Sequence, residues 1–310
     1  MSNAITRRQF LAGSVAASAT LCGTRLTGLC KEPSAPQMAV FSKIYQDLKL
    51  NFDQSAEVTA AAGLDGIDCA VRAGGEILPE KAKDDMPRYA DALARKKVRM
   101  LLLTTGIVST ASPNAQDILR TGKQLGIGHY RIGFNPHKAG TPPEKTVETL
   151  RSQLKDLAAL NKDIGVCGVV QNHSPGTGKN PTSYAGGDLA EMYELVKDFN
   201  PDQVGVAFDL AHAIIVHGDQ WSDHFEKLKS HIRIIYIKDV KRPRSFVPFG
   251  QGEFAKTDFF KRLKKMDYRQ PYSIHVEFDW AGKGGDKTQE TLAKALQESR
   301  TTLQQWLAGA

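Results

Sequence analysis

The stretch Val204-Gly205-Val206-Ala207-Phe208-Asp209-Leu210-Ala211-His212 joins an apolar run to an acid and then to a histidine. The run is typical of a buried strand, because Val206 is β-branched and Phe208 is aromatic. A carboxylate at the end of such a strand must be paired, hydrogen-bonded or bound to a cation, since burying it alone is too costly. Two interpretations follow. Asp209 and His212 belong to a metal or substrate site at the strand end, or Asp209 caps the next helix and His212 lies in its first turn.

Outward from this stretch, apolar strand-like runs alternate with helix-like stretches eight times. The predicted strands are residues 38–42, 66–71, 98–104, 129–134, 166–171, 204–209, 232–238 and 272–278. The predicted helices are residues 53–62, 80–97, 114–125, 144–162, 188–199, 222–229, 256–266 and 287–307. Eight such units predict an α/β fold of the (β/α)₈ TIM-barrel type. The rival, a doubly wound open sheet, is disfavoured because no Gly-x-Gly-x-x-Gly follows the first strand.

The first thirty residues have the pattern of a twin-arginine export signal. Arg7-Arg8 precedes a mildly apolar stretch, residues 11–21, with small residues suited to cleavage. We therefore predict a signal peptide at residues 1–30, a linker at 31–37, a barrel domain at 38–310 and a periplasmic location. A lipoprotein anchor at Cys22 or Cys30 is disfavoured, because leucine stands before each cysteine.

Composition narrows the function classes. The chain carries a formal charge of +7, and its densest basic run is residues 238–244. That run indicates a solvated loop or, as the sharper alternative, an anion site. No aromatic-interleaved basic stripe favours nucleic-acid binding, and no segment is suited to stable membrane insertion. Cys69 and Cys167 are predicted to be small buried residues rather than a disulfide framework.

Polar residues gather at the ends of the last four predicted strands. If the alternating faces point inward, one barrel mouth collects Gln171, His173, Asp209, His212, Tyr236, Lys238, His275 and Glu277. Each has a simpler interpretation: His173 holds its own loop, Lys238 pairs with Asp239 on the surface, and His275 is a satisfied core histidine. Glu277 is the hardest to explain this way, because it interrupts an apolar strand near its end.

These motifs resemble the xylose-isomerase-like TIM barrels, the sugar phosphate isomerase/epimerase superfamily. The resemblance covers roughly residues 38–307. Its marks are Gly63-Leu64-Asp65-Gly66-Ile67-Asp68, Gln171-Asn172-His173, Asp209 with His212, Lys238-Asp239, Pro248-Phe249-Gly250-Gln251-Gly252-Glu253 and His275 to Glu277. Ser42-Lys43 and Val71-Arg72-Ala73-Gly74-Gly75-Glu76 also resemble an exported subgroup.

The resemblance implies a divalent-metal site at four positions, which fall on Gln171, Asp209, Tyr236 and Glu277. Gln171 stands where a carboxylate is expected and Tyr236 where a histidine is expected, and both changes weaken metal binding. His275 is a candidate to compensate, because it shares a face with Glu277. The predicted ligand set is thus Gln171, Asp209, His275 and Glu277, weakened or rearranged or empty, for Mn²⁺, Co²⁺, Mg²⁺ or Zn²⁺.

The implied chemistry is proton transfer next to the carbonyl of a sugar or oxidised sugar. Glu277 is the predicted base, with His212 and Lys238 as further catalytic residues. Arg72, His173 and Tyr236 are the predicted substrate-binding residues. Because Gln171 exchanges no proton, a symmetric two-acid epimerase is disfavoured against a one-base isomerisation or a β-elimination. The competing interpretation is an exported sugar-binding barrel that has lost its metal.

Overall fold

The computed structural model describes residues 36–179 and 181–310. The predicted signal peptide, Cys22, Cys30 and most of the predicted linker lie outside these residues. Those features therefore stay predictions.

Eight parallel strands close into a barrel, which confirms the predicted fold class. They are β1 (Met38–Phe41), β2 (Gly66–Val71), β3 (Arg99–Thr105), β4 (His129–Arg131), β5 (Cys167–Gln171), β6 (Val204–Asp209), β7 (Ile232–Ile237) and β10 (Tyr272–Ile274). Neighbouring strands follow the order β1-β10-β7-β6-β5-β4-β3-β2 around the barrel. All eight carboxyl ends therefore meet at one mouth.

Helices surround the barrel. They are α1 (Phe52–Ala61), α2 (Ala82–Arg95), α3 (Ala115–Gln124), α4 (Pro143–Ile164), α5 (Leu189–Val196), α6 (Leu210–His217), α7 (Trp221–Leu228), α8 (Phe259–Lys265) and α9 (Gln289–Ala308). The apolar sides of the helices pack against the strands in one extensive core. Across the described residues, no helix combines the length and apolar character needed to cross a membrane.

Two strands are shorter than predicted by three or more residues, and one helix is additional. β4 stops at Arg131 rather than residue 134, and β10 stops at Ile274 rather than residue 278. The backbone of His275 still bonds to Ile237, with 2.8 Å between its N and the Ile237 O, but the chain then leaves the sheet. Helix α6 follows β6 directly, in addition to the helix predicted at residues 222–229.

The barrel interior holds a small apolar cluster of its own. It consists of Leu102, Cys167, Val169, Ala207, Ile234 and Tyr236. Cys69 and Cys167 are both buried and free, as the sequence predicted. Tyr236 is a member of this interior cluster, so its ring packs among apolar side chains.

A hairpin follows β7 and overhangs the mouth. Its strands are β8 (Asp239–Lys241) and β9 (Ser245–Val247), which pair antiparallel. The buried Asp239 carboxylate accepts the backbone N–H groups of Gly250 and Gly252, both at 2.9 Å, and of Phe254 at 3.2 Å. A side chain at Gly252 would collide with this carboxylate. Asp239 therefore fixes the backbone of the segment after the hairpin. The predicted surface ion pair between Lys238 and Asp239 is wrong, because both side chains are buried.

Candidate active site

Asp209 is the last residue of β6 and the N-cap residue of α6. Its Oδ1 accepts the backbone N–H of His212 at 3.2 Å, which makes it the cap of α6. Asn172 holds the Asp209 backbone from the next strand, donating to its O at 2.9 Å and accepting from its N at 2.8 Å. The helix-cap interpretation of Asp209 is therefore confirmed, while its other carboxylate oxygen, Oδ2, is buried 3.2 Å from Lys238 Nζ.

The Lys238 ammonium group lies at the centre of the predicted constellation. Its Nζ is 2.7 Å from His212 Nε2, 3.2 Å from Asp209 Oδ2 and 3.1 Å from Glu277 Oε1. Two of its three N–H donors are directed to His212 and Glu277 by hydrogen bonds, and Asp209 forms an ion pair with it. The ring of Phe246 lies on another side of the ammonium group, 5.1 Å from Nζ to the ring centroid.

The predicted metal site was expected to be weakened, rearranged or empty, and the structure shows its two carboxylates, Asp209 and Glu277, arranged around the Lys238 ammonium group. Gln171 Nε2 donates to Asp209 Oδ2 at 3.1 Å, so its amide presents a donor to that oxygen. One carboxylate oxygen of Asp209, Oδ2, and one of Glu277, Oε1, contact the Lys238 ammonium group. Among the described residues, no group of three or more His, Cys, Asp and Glu side chains is arranged to hold a metal ion. The residues present therefore do not fit a divalent ion.

The pKa values of Asp209 and Glu277 are shifted in opposite directions by this arrangement. Burial raises the pKa of Asp209 to about 6, although the charge of Lys238 opposes the rise. Burial alone would also raise the pKa of Glu277, but Lys238 and then His275 bring that pKa below its ordinary range. Glu277 is therefore ionised at neutral pH.

A cavity of about 420 Å³ opens above this cluster. Its wall consists of Phe41, Lys43, Ile44, Asp47, His173, Phe246, His275, Val276 and Glu277. The Glu277 side chain is 34% exposed, whereas those of Lys238 and Asp209 are 2% and 0% exposed. Glu277 is thus the carboxylate of the constellation that a molecule in the cavity meets, and Lys238 lies behind it.

Two histidines in the cavity wall are neutral at pH 7. Burial, followed by the charge of Lys238, lowers the pKa of His173 to about 4. Burial also lowers the pKa of His275 to about 4. Nδ1 of His173 lies 2.8 Å from the carbonyl O of Ser174, which only accepts, so this nitrogen carries the proton and Nε2 is left as an acceptor.

Two predicted substrate-binding residues lie away from the cavity wall. Tyr236 is 1% exposed and packs in the barrel interior, with its ring 4.4 Å from that of His275 between centroids. This placement corrects its predicted contact with substrate. Arg72 is half-buried, and its Nε is buried with no hydrogen-bond partner within the described part of the chain. His173 is the member of the predicted substrate-binding set that the cavity exposes.

The sequence analysis missed several groups at the mouth. Arg244 donates to the Ser174 hydroxyl and to the Pro175 carbonyl, so this part of the basic run holds the loop after β5. Ser174 in turn lies 2.8 Å from His212 Nδ1, measured from its Oγ. Lys43, two residues after β1, and Phe246, the middle residue of β9, also line the cavity. The signal for Lys43 was its position directly after a barrel strand.

Residues 56–301 match the model of the xylose isomerase-like TIM barrel family, and the chain belongs to that family. No protein of curated function matches the chain in sequence.

Solved structures with the same fold include three sugar epimerases. D-psicose 3-epimerase from Clostridium cellulolyticum H10 has 13% identity over 87% of this chain and 99% of its own, with a TM-score of 0.66. An L-ribulose 3-epimerase has 16% identity over 88% and 95%, with a TM-score of 0.64. The 3-keto-D-glucoside 4-epimerase of E. coli has 13% identity over 86% and 98%, with a TM-score of 0.60. At these identities the likeness establishes the shared fold.

Proposed function

We propose that this protein is a sugar isomerase or epimerase-like enzyme that uses Glu277 as a single base next to a substrate carbonyl. The observation that carries the proposal is the position of Glu277. Its carboxylate faces the cavity at the barrel mouth and is held ionised by Lys238, 3.1 Å away. The carboxyl ends of barrel strands are where enzymes of this architecture place their chemistry.

We assign one base rather than two because the strand-end residues Asp209 and Gln171 offer no second acid. Asp209 is fully buried and committed to the cap of α6, and Gln171 has no exchangeable acid proton. Glu277 removes a proton from the carbon beside the carbonyl, the C–H electron pair becomes a C=C bond, and the carbonyl oxygen gains the negative charge. The same base then returns the proton to the former carbonyl carbon, while the hydroxyl proton on the carbon that lost its hydrogen moves to the former carbonyl oxygen, which gives the isomeric carbonyl sugar.

The cavity also offers neutral partners for substrate oxygens. The unprotonated nitrogen of His173 is suited to accept a hydrogen bond from a sugar hydroxyl. His275 is a second neutral ring of the cavity wall, and its Nε2 is buried without a hydrogen-bond partner within the described residues. Lys238 acts through Glu277, because its ammonium group is enclosed behind that side chain.

The proposed substrates are free keto-sugars or oxidised glycosides. The structural neighbours named as epimerases act on D-psicose, L-ribulose and 3-keto-D-glucosides, which supports a carbonyl-bearing sugar. The twin-arginine pattern at residues 1–30 supports export to the periplasm, where free sugars are more accessible than sugar phosphates.

The decisive experiment is exchange of substrate hydrogen with solvent. D-psicose, L-ribulose and a 3-keto-D-glucoside are incubated with the protein in D₂O, and deuterium next to the carbonyl is followed by NMR. Glu277→Gln keeps the acceptor for Lys238 but removes the base, so exchange should fall by about 100-fold or more. Glu253→Gln, which removes a carboxylate outside the cavity wall, is the matched control and should exchange like wild type. Equal exchange by Glu277→Gln and wild type would exclude Glu277 as the base.

A lyase acting on oxidised glycosides is the second candidate, and the exposed Glu277 carboxylate favours it too. Elimination would break the bond to the β-oxygen after the same proton removal, releasing the glycosidic alcohol and leaving an enone that absorbs in the ultraviolet. Enone formation with the 3-keto-glucoside distinguishes the lyase from the isomerase. No exchange with any sugar, together with a higher melting temperature in sugar alone, would favour a sugar-binding barrel.

A further inference from the structure

We infer that the Lys238 ammonium group serves as the cation of this site in place of a divalent metal, so that the site works without one. The inference starts from three contacts. Asp209 Oδ2, Glu277 Oε1 and His212 Nε2, which are oxygen and nitrogen atoms of the kinds that bind metals, all lie within 3.2 Å of one Nζ atom.

The carboxylate oxygens of Asp209 have further partners besides Lys238. Asp209 Oδ2 takes a second hydrogen bond from Gln171, and Asp209 Oδ1 takes the backbone N–H of His212. Oδ2 thus has two partners, and Oδ1 is engaged in the cap of α6. The aromatic face of Phe246 covers a further side of Nζ, which suits an ammonium group rather than a hydrated ion.

The sequence and the geometry both indicate that the Lys238 ammonium group replaces a metal ion. A neutral amide at Gln171 presents a donor at the centre of the site, and Tyr236 places its ring in the interior apolar cluster. Both residues remove ligands for an ion, while Lys238 supplies a fixed positive charge between the two carboxylates. The charge that a metal would bring is therefore built into the chain.

Co²⁺ alone is the probe, because its visible spectrum and its effect on melting temperature need no substrate. Wild type and Lys43→Met are titrated with CoCl₂ and then dialysed for elemental analysis. Lys43→Met removes a cavity lysine outside the cluster and is the matched control. Both proteins should retain less than about 0.1 equivalent and keep the same melting temperature.

Lys238→Met should melt at a lower temperature, because it leaves Asp209 and Glu277 uncompensated. It should regain stability with Co²⁺ and bind this ion at least tenfold more tightly than wild type, while Lys238→Arg should not. Retention of about one Co²⁺ by wild type, lost in Glu277→Gln, would overturn the inference. This wild-type measurement decides the matter even where Lys238→Met does not fold, and it is independent of whether Glu277 transfers a proton.

Discussion

Nζ of Lys238 lies 2.7 Å from Nε2 of His212, both side chains being almost fully buried. An ammonium group only donates, so Nε2 of His212 is unprotonated and the ring of the neutral histidine carries its proton on Nδ1. That proton points to Ser174 Oγ, 2.8 Å away. The pair therefore fixes both the charge and the tautomer of a histidine that the sequence analysis had predicted to be catalytic.

The tautomer is directly measurable. Burial and the charge of Lys238 lower the pKa of His212 well below its usual range, so the ring should not titrate between pH 5 and 8. We expect ¹⁵N NMR of the imidazole to show the Nδ1–H form throughout this interval. A predominant Nε2–H form, or protonation near pH 6.5, would contradict the contact with Lys238.

His173 should report the charge of Lys238. Burial and then that charge lower the pKa of His173 to about 4, since both disfavour the protonated ring. Lys238→Met removes the second cause and leaves the first. The pKa measured by imidazole NMR should therefore rise but stay below about 6.5. Lys43→Met is the control, and a pKa that Lys238→Met leaves unchanged would place the ammonium group elsewhere.

Asp239→Ala should destabilise the protein strongly. The substitution leaves the backbone N–H groups of Gly250, Gly252 and Phe254 without their acceptor. We expect the free energy of unfolding in urea to fall by about 3 kcal/mol or more. Asp202→Ala removes an exposed carboxylate paired with Arg233 and should cost less than about 1 kcal/mol. Similar losses in the two variants would refute the organising role of Asp239.

Tyr236→Phe should be tolerated. The Tyr236 hydroxyl is buried and has no hydrogen-bond partner within the described part of the chain. Its removal should leave the free energy of unfolding unchanged or raise it by about 1 kcal/mol. Tyr130→Phe is the matched control, because that buried hydroxyl donates to Asn161 Oδ1 at 3.0 Å and its loss should cost about 1 kcal/mol. A larger loss for Tyr236→Phe would reveal a partner for its hydroxyl.

Cys69 and Cys167 should be unreactive in the folded protein. They are 0% and 4% exposed, and burial raises the pKa of Cys167 to about 12 and that of Cys69 well above its usual value. Iodoacetamide at pH 8 should modify neither in native buffer and both in urea, as peptide mass spectrometry would show. Rapid native modification of either thiol would contradict its burial.

The sequence by itself determined the barrel and the region of its site. Eight alternations of apolar strand and helix leave few ways to bury both faces of every strand, and closure of the barrel is one of them. Parallel strands then bring their carboxyl ends to one mouth, so residues as distant as His173 and Glu277 were expected together. They do line one cavity. The strand ends were predicted less accurately. The apolar pattern continues beyond Ile274, but the chain leaves the sheet after the backbone hydrogen bond of His275.

Only the tertiary structure decided which polar side chains of the site contact one another. Alternation assigns a side chain to a face only while the strand lasts, and β7 ends at Ile237, one residue before Lys238. The direction of the Lys238 side chain then depends on acceptors that lie 26 and 39 residues away along the chain, in His212 and Glu277. The same contacts turned a predicted metal site into a site centred on an ammonium group, because burial forces each charge to find a partner within hydrogen-bonding distance.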